Sequence, residues 1–368
     1  MKKLALILIV LTGLIVPLAC TNNQPTGPLA TYNLTATYTF TFTSTPTNWA
    51  GYTSTATPGA GTNTATPFSP PIINTATPTS TFVNTGSPSQ PAPILNGTTW
   101  TTSAFPNGVA YDGSTTIYVA EGTEGSTGGL IQMFNASGTS LGTLTTYNGL
   151  AAFGQPNGVA YYGGNIYVVD QWNSAVYEMT PSGNLLHSVT SWAAVSGGPG
   201  SFLNPEGIAV DGSGNIYVAD TGHDYVEVFN SSLSIVAEFN GSAGGNVSFN
   251  NPSAVAVDST GEVYVVDASN QFVKIFTNSS GTSYSGQFWT AVSSFSDIYG
   301  ITLDSSNNIY LADSGTGQIE EYSSGGTFVT SGLGNGPSSA DPVGSIFIGT
   351  NNLLVADYLH SQLYSVTP

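Results

Sequence analysis

The sequence predicts an all-β fold, a six-bladed β-propeller of four-stranded antiparallel blades preceded by a disordered Thr/Pro/Ser-rich stalk. Three observations carry this. The stretch NPEGIAVDGSGNIYVAD, Asn204 to Asp220, is written six times, with the other copies beginning at Phe105, Gln155, Asn251, Asp297 and Asp341. The acids that close the copies, Glu121, Asp170, Asp220, Asp267, Asp313 and Asp357, are 49, 50, 47, 46 and 44 residues apart; such a period marks one supersecondary unit repeated in a closed or stacked array. Runs such as Val263-Tyr264-Val265-Val266 are apolar on both faces, as in a sheet packed between two others and unlike one with a wet face.

In chain order, residues 1–20 have the form of an export signal: Lys2 and Lys3, an apolar run from Leu4 to Val16, then small residues. Residues 21–91 are dominated by Thr, Pro, Ser and Asn, with TATP pieces at Thr55, Thr64 and Thr75 and no periodic apolar face. No core can form from such a composition, so it is expected to act as a tether. The repeats occupy residues 92–368. Each begins with an apolar run after Pro-x-Gly (Gly207 to Val210), turns through Gly, Asn, Asp or Ser, and returns along a second run (Ile216 to Ala219), the pattern of a hairpin. A third run is centred on Val176, Val226, Val273, Ile319 and Leu363, and a weaker fourth follows at 184–190 and 234–239. The last unit stops at Pro368 one strand short, while a β-like segment, Ile94 to Thr101, precedes the first. This segment is expected to pair with Gln362–Val366 and close the ring, leaving no open edge.

Composition excludes some functions. There are 21 acids against three basic residues, Lys2, Lys3 and Lys274, and no arginine. Binding a nucleic acid requires cations to neutralise phosphates, and an anionic membrane surface demands the same; neither is expected as a partner. The single cysteine, Cys20, cannot form an internal disulfide.

Two resemblances follow from these residues. Pro17-Leu18-Ala19-Cys20 resembles a bacterial lipobox, with proline where leucine is usual. This implies lipidation of Cys20, export, and, with Thr21 next in the chain, anchoring at the outer membrane or cell surface; ordinary secretion is the alternative. Pro-x-Gly-Ile-Ala-Val-Asp, then Asn-Ile-Tyr-Val-Ala-Asp, then an aliphatic-x-Val-Phe strand, resembles the NHL repeat over residues 105–368. Ala254 stands for the glycine and Ile298 for the proline in single copies, and Ile346-Phe347-Ile348 alters the last. The arginine usual in that family before the third strand is replaced by Leu130, Ala175, Tyr225, Phe272, Gln318 and Gln362. The resemblance implies an interaction platform. RNA binding, known for relatives with a basic face, does not carry over.

The Pro-x-Gly turn, the loop after the closing acid and the crossover to the next blade are expected to share one face. Trp172 falls in such a loop, and Trp192 and Trp289 in the long crossovers 191–204 and 288–297. They are candidate stacking groups for a glycan, or covers for the blade tops. The residue inside Pro-x-Gly should face the central tunnel: Asn107, Asn157, Glu206, Ser253, Tyr299 and Val343 in turn. The first three are oxygen ligands suited to Ca2+. Calcium-dependent lactonases and gluconolactonase-like enzymes place ligands in similar turns, to which Asn157 and Glu206 look alike, with Glu206 also a candidate base. The closing acids are expected to accept backbone N–H groups of the following turn. His223 and His360, each three residues past its acid, are read as repeat heritage. The favoured function is a monomeric extracytoplasmic binding module for a protein or glycan, with no catalysis and no required cofactor, touching membrane only through its lipid. The alternative is a calcium-dependent hydrolase at the tunnel mouth.

Overall fold

The computed structural model describes strands at residues 5–11, 14–20, 31–34 and 61–64, for backbone only, and residues 99–368 apart from 123–127, 148–150, 196, 243–246, 279–283, 290–296, 333–339 and 350–351; the side chains of 151 and 286–289 also lie outside the description. The chain divides into two units, Met1–Pro78 and Thr79–Pro368. In the first, Ala5–Leu11 pairs antiparallel with Leu14–Cys20, and Thr31–Leu34 with Gly61–Thr64. Cys20 ends the second of these strands.

The second unit is the propeller. Blade one runs from Phe105–Tyr111 to Ser140–Leu144, blade two from Pro156–Tyr162 to Leu185–Val189, and blade three from Pro205–Val210 to Ile235–Phe239. Blade four runs from Pro252–Val257 to Tyr284–Trp289, and blade five from Ile298–Leu303 to Phe328–Ser331. Each is a four-stranded sheet in chain order. Blade six takes Pro342–Phe347, Leu353–Asp357 and Gln362–Val366 from the C-terminus and Trp100–Thr101 from the start of the unit. The pairs are Gln362 with Thr101 and Leu363 with Trp100. The closing strand thus lies where its sequence places it; residues 94–98 are outside the description.

The core is six separate cores, one between each pair of neighbouring blades. The second strand of blade four shows why both of its faces are apolar. Val263 and Val265 pack against blade three, while Tyr264 and Val266 pack against blade five. Side chains alternate across a strand, so burial on both faces needs an unbroken apolar run. Complete burial of each such side chain contributes about 1.5–3 kcal/mol. Trp100 does the same at the seam: it is buried, tilts over Phe134 of blade one at 5.7 Å, and joins the core between blades six and one.

Trp289 departs from its expected place. The fourth strand of blade four runs to Trp289, which pairs with Val273, so this residue belongs to the outer strand and not to the crossover. The β-prone run Phe288-Trp289 simply prolongs the ladder.

Candidate functional site

The innermost strands build the tunnel by a device repeated in every blade. The residue at the proline position pairs with the closing acid: Pro106 with Glu121, Pro156 with Asp170, Pro205 with Asp220, Pro252 with Asp267, Ile298 with Asp313 and Pro342 with Asp357. The register then shifts across the next one or two residues. A bulge at this point re-aims a side chain, and here it turns the residue inside Pro-x-Gly toward the axis. The glycine that follows allows close packing around the ring. A Cβ on Gly108 would stand 2.6 Å from the carbonyl oxygen of Asn157, one on Gly158 2.5 Å from that of Glu206, and one on Gly207 2.7 Å from that of Ser253. Gly300 abuts Val343, and Gly344 abuts Asn107, in the same way. At Ala254, where the glycine is missing, Ser253 Oγ donates across the gap to the Tyr299 carbonyl at 3.2 Å.

The loop face is held by the closing acids. In blades two, four, five and six the residue after the acid donates to the residue before the entering strand, as in Gln171 N to Gln155 O at 2.9 Å, and in blade three Gly222 N donates to Leu203 O at 2.8 Å. The buried carboxylates accept from the same segment: Gly154 N and Gln155 N on Asp170, Leu203 N on Asp220, Asn250 N on Asp267, Asp297 N on Asp313 and Asp341 N on Asp357. The bonds expected from the following turn are fewer: Asn173 N on Asp170, Thr316 N on Asp313 and His360 N on Asp357. The third residue of the loop supplies a further partner: Asn173 Nδ2 at 2.8 Å, His223 Nδ1 at 2.8 Å, Asn270 Nδ2 at 2.9 Å and His360 Nδ1 at 2.7 Å. In blade four Lys274 Nζ adds an ion pair with Asp267 at 2.6 Å.

Asn107, Asn157, Glu206, Ser253, Tyr299 and Val343 all line one cavity of about 390 Å³ at the tunnel mouth, within the range of about 300–1,000 Å³ usual for small-ligand sites. Gln155, Gln171, Asp297, Asp341 and Tyr358 complete its polar wall, and these were not singled out from the sequence. The signal was positional: they lie just before the entering strand or just after the closing acid. The wall holds three acids and no basic residue or histidine.

Glu206 is the central group. Burial pushes its carboxyl up to about 7, against a smaller lowering by Gln171, whose Nε2 donates to Oε1 at 3.0 Å. A carboxyl poised near neutrality in a cleft is a functional candidate. Burial also raises the Tyr299 hydroxyl, followed by the nearby carboxylates of Asp297, Glu206 and Asp341, and its ring is 42% exposed at the mouth.

The proposed metal ligands are therefore brought together in one cavity. Among the described residues, however, no group of three or more His, Cys, Asp or Glu side chains is arranged to hold a metal. A calcium ion at the mouth would rely on Glu206 and the amide oxygens of Asn157 and Asn107. The aromatic candidates separate. Trp172 is 56% exposed on the loop face. Trp192 packs edge-on against Phe202 and Phe229 at 4.7 and 5.2 Å and donates its Nε1–H to Glu238, which makes it a cover for the blade top. The side chain of Trp289 lies outside the described residues.

A propeller with a polar, acid-walled mouth is the class that fold and site define. The NHL repeat family matches residues 202–229 and 249–276, which lie in blades three and four, so the chain carries NHL repeats on a six-bladed propeller. No curated protein matches the chain. Among solved structures it is similar to virginiamycin B lyase from Staphylococcus aureus, at 14% identity over 74% of this chain and 98% of that chain, with a TM-score of 0.52. A catalytically inactive histidine-to-alanine variant of the same lyase with quinupristin aligns at 13% identity, 74% and 98% coverage and TM-score 0.52. A streptogramin B lyase aligns at 12%, 73% and 96% coverage and TM-score 0.51. At these identities the likeness establishes the fold alone.

Proposed function

We propose that the chain is an exported binding module, anchored through Cys20 and presenting the propeller's loop face to a protein or glycan, with the tunnel mouth as the ligand site. One observation carries this: six equivalent inward side chains converge on a concave polar cavity in which burial raises the Glu206 carboxyl to about 7. Desolvated polar groups in a concave site favour a ligand that restores their hydrogen bonds. The acid wall turns away anionic ligands, and nucleic acid is no partner for a chain with one basic residue beyond Lys3.

A second reading is favoured by Glu206 alone. In a hydrolase, Asn107, Asn157 and Glu206 would hold a calcium ion, which would supply Lewis acidity at an ester or lactone carbonyl. Burial raises Glu206 to about 7 in the ion-free site; beside a calcium ion it would be ionised and could accept a proton from an attacking water. The fold-sharing lyases do not extend this: a histidine substitution inactivates one of them, whereas no histidine lines this cavity. Calorimetric titration of the full-length chain and Glu206→Ala with calcium separates the readings. Binding that is lost in the variant, together with lactone turnover, supports the hydrolase. Glycan or protein binding that depends on Glu206 without calcium supports the binding module.

A further inference from the structure

We propose that the mouth continues sideways into a second subsite over blade four, and that the two together take a neutral oligosaccharide of two or more rings; this rests on the mouth being the ligand site. A second cavity of about 250 Å³ adjoins the first. Glu206, Ser253, Asp297 and Tyr299 line both, so the two are lobes of one groove with Tyr299 at the junction. Alone the side lobe falls below the usual size of a ligand site; as an extension it lengthens what the mouth can hold.

The lining of the lobe fits sugar. Its far wall is Asn251, Ser269 and Gln271, all exposed, and their side chains make no hydrogen bond among the described residues. They are uncharged donors and acceptors of the kind that hydroxyl groups satisfy. Apart from the Tyr299 ring, Ala268 is the one apolar side chain in the lobe, so it has no aliphatic pocket for the apolar anchor a peptide would need. Tyr299, half exposed and flanked by Glu206 and Asp297, offers a ring face to a sugar's C–H surface beside acceptors for its hydroxyls. With no cation in either lobe, uronates, sialylated chains and phosphosugars are disfavoured.

The test is a calorimetric series on the full-length chain with neutral oligosaccharides of one to five rings, built on glucose, mannose and N-acetylglucosamine. Affinity for one of these series should rise about tenfold from one ring to three and then level off. Gln271 has φ 58°, so Gln271→Gly keeps the backbone at ease while removing the side chain. It and Ser269→Ala should lower the ratio of three-ring to one-ring affinity. A ratio of one in the unaltered chain, a ratio untouched by both variants, or binding of oligolysine or anionic sugars in place of neutral ones overturns the proposal. Ring binding that needs Glu206 but ignores length defeats the side subsite and spares the mouth. Absence of any binding that Glu206→Gln weakens defeats both.

Discussion

Lys274 Nζ stands 2.6 Å from Asp267 Oδ2 with both side chains fully buried, and it also donates to the Val247 carbonyl at 2.6 Å and lies over the Phe249 ring. The sole basic side chain beyond Lys3 is thus spent inside blade four, tying the third strand to the closing acid and to the crossover from blade three. Removing one partner of a buried pair strands the other charge, at about 3–5 kcal/mol. Lys274→Met should therefore lower urea stability by that amount, and adding Asp267→Asn should recover part of it.

Stability should fall as pH rises. Burial raises Glu121 to about 7, Asp220 to about 6 and Glu227 to about 10. Glu227 is fully buried, and beyond burial the neighbouring Glu238 and Asp220 push its value further up. A folded pKa above the unfolded one means the folded state holds more protons. The contribution is then complete below the unfolded value and is lost as pH climbs through the folded one. Between pH 5 and 9 Glu227 alone contributes a slope of about 1.4 kcal/mol per pH unit. Melting temperature should drop across this window, and Glu227→Gln should flatten the drop. A melt that rises from pH 5 to 9 contradicts the assignment.

The seam depends on Trp100. Replacing a buried tryptophan by alanine costs about 3–5 kcal/mol, and here it also frees the edge of Gln362–Val366. Trp100→Ala should lower the melting temperature and promote self-association through the exposed edge, seen as concentration-dependent sedimentation.

Gly158 tests the tight ring. A Cβ there meets the Glu206 carbonyl oxygen at 2.5 Å and Ile208 Cγ2 at 3.0 Å, so Gly158→Ala must push blade three outward at a cost of about 1–3 kcal/mol. It should also weaken ligands held by Glu206, whereas Gly325→Ala, whose Cβ would meet nothing nearer than Ser323 Oγ at 3.9 Å, should leave ligand affinity alone.

The blades were legible because each repeat states its strands and turns in local pattern, and because a chain missing its last strand must find it elsewhere. Trp100 and Leu363 show that logic succeeding. The tunnel position of Glu206 was also readable, since the residue inside Pro-x-Gly occupies the same place in every copy. What the pattern could not supply was the neighbourhood. Asp297 and Asp341 belong to the mouth only because the ring brings distant crossovers together. In sequence Trp192 is open between a stacking group and a blade-top cover; its capture by Phe202, Phe229 and Glu238 decides for the cover. The spacing links His223 with His360, but their contact with Asp220 and Asp357 emerges only from the turn geometry.

The most direct test of the mouth as ligand site is to screen the full-length chain beside Glu206→Gln on a panel of neutral, cationic and anionic glycans and extracellular proteins. With the mouth as ligand site, at least one neutral or cationic ligand should lose about tenfold or more in affinity in the variant, a loss of about 1.4 kcal/mol. Ligands held equally by both chains, or binding confined to anionic ligands, would contradict it.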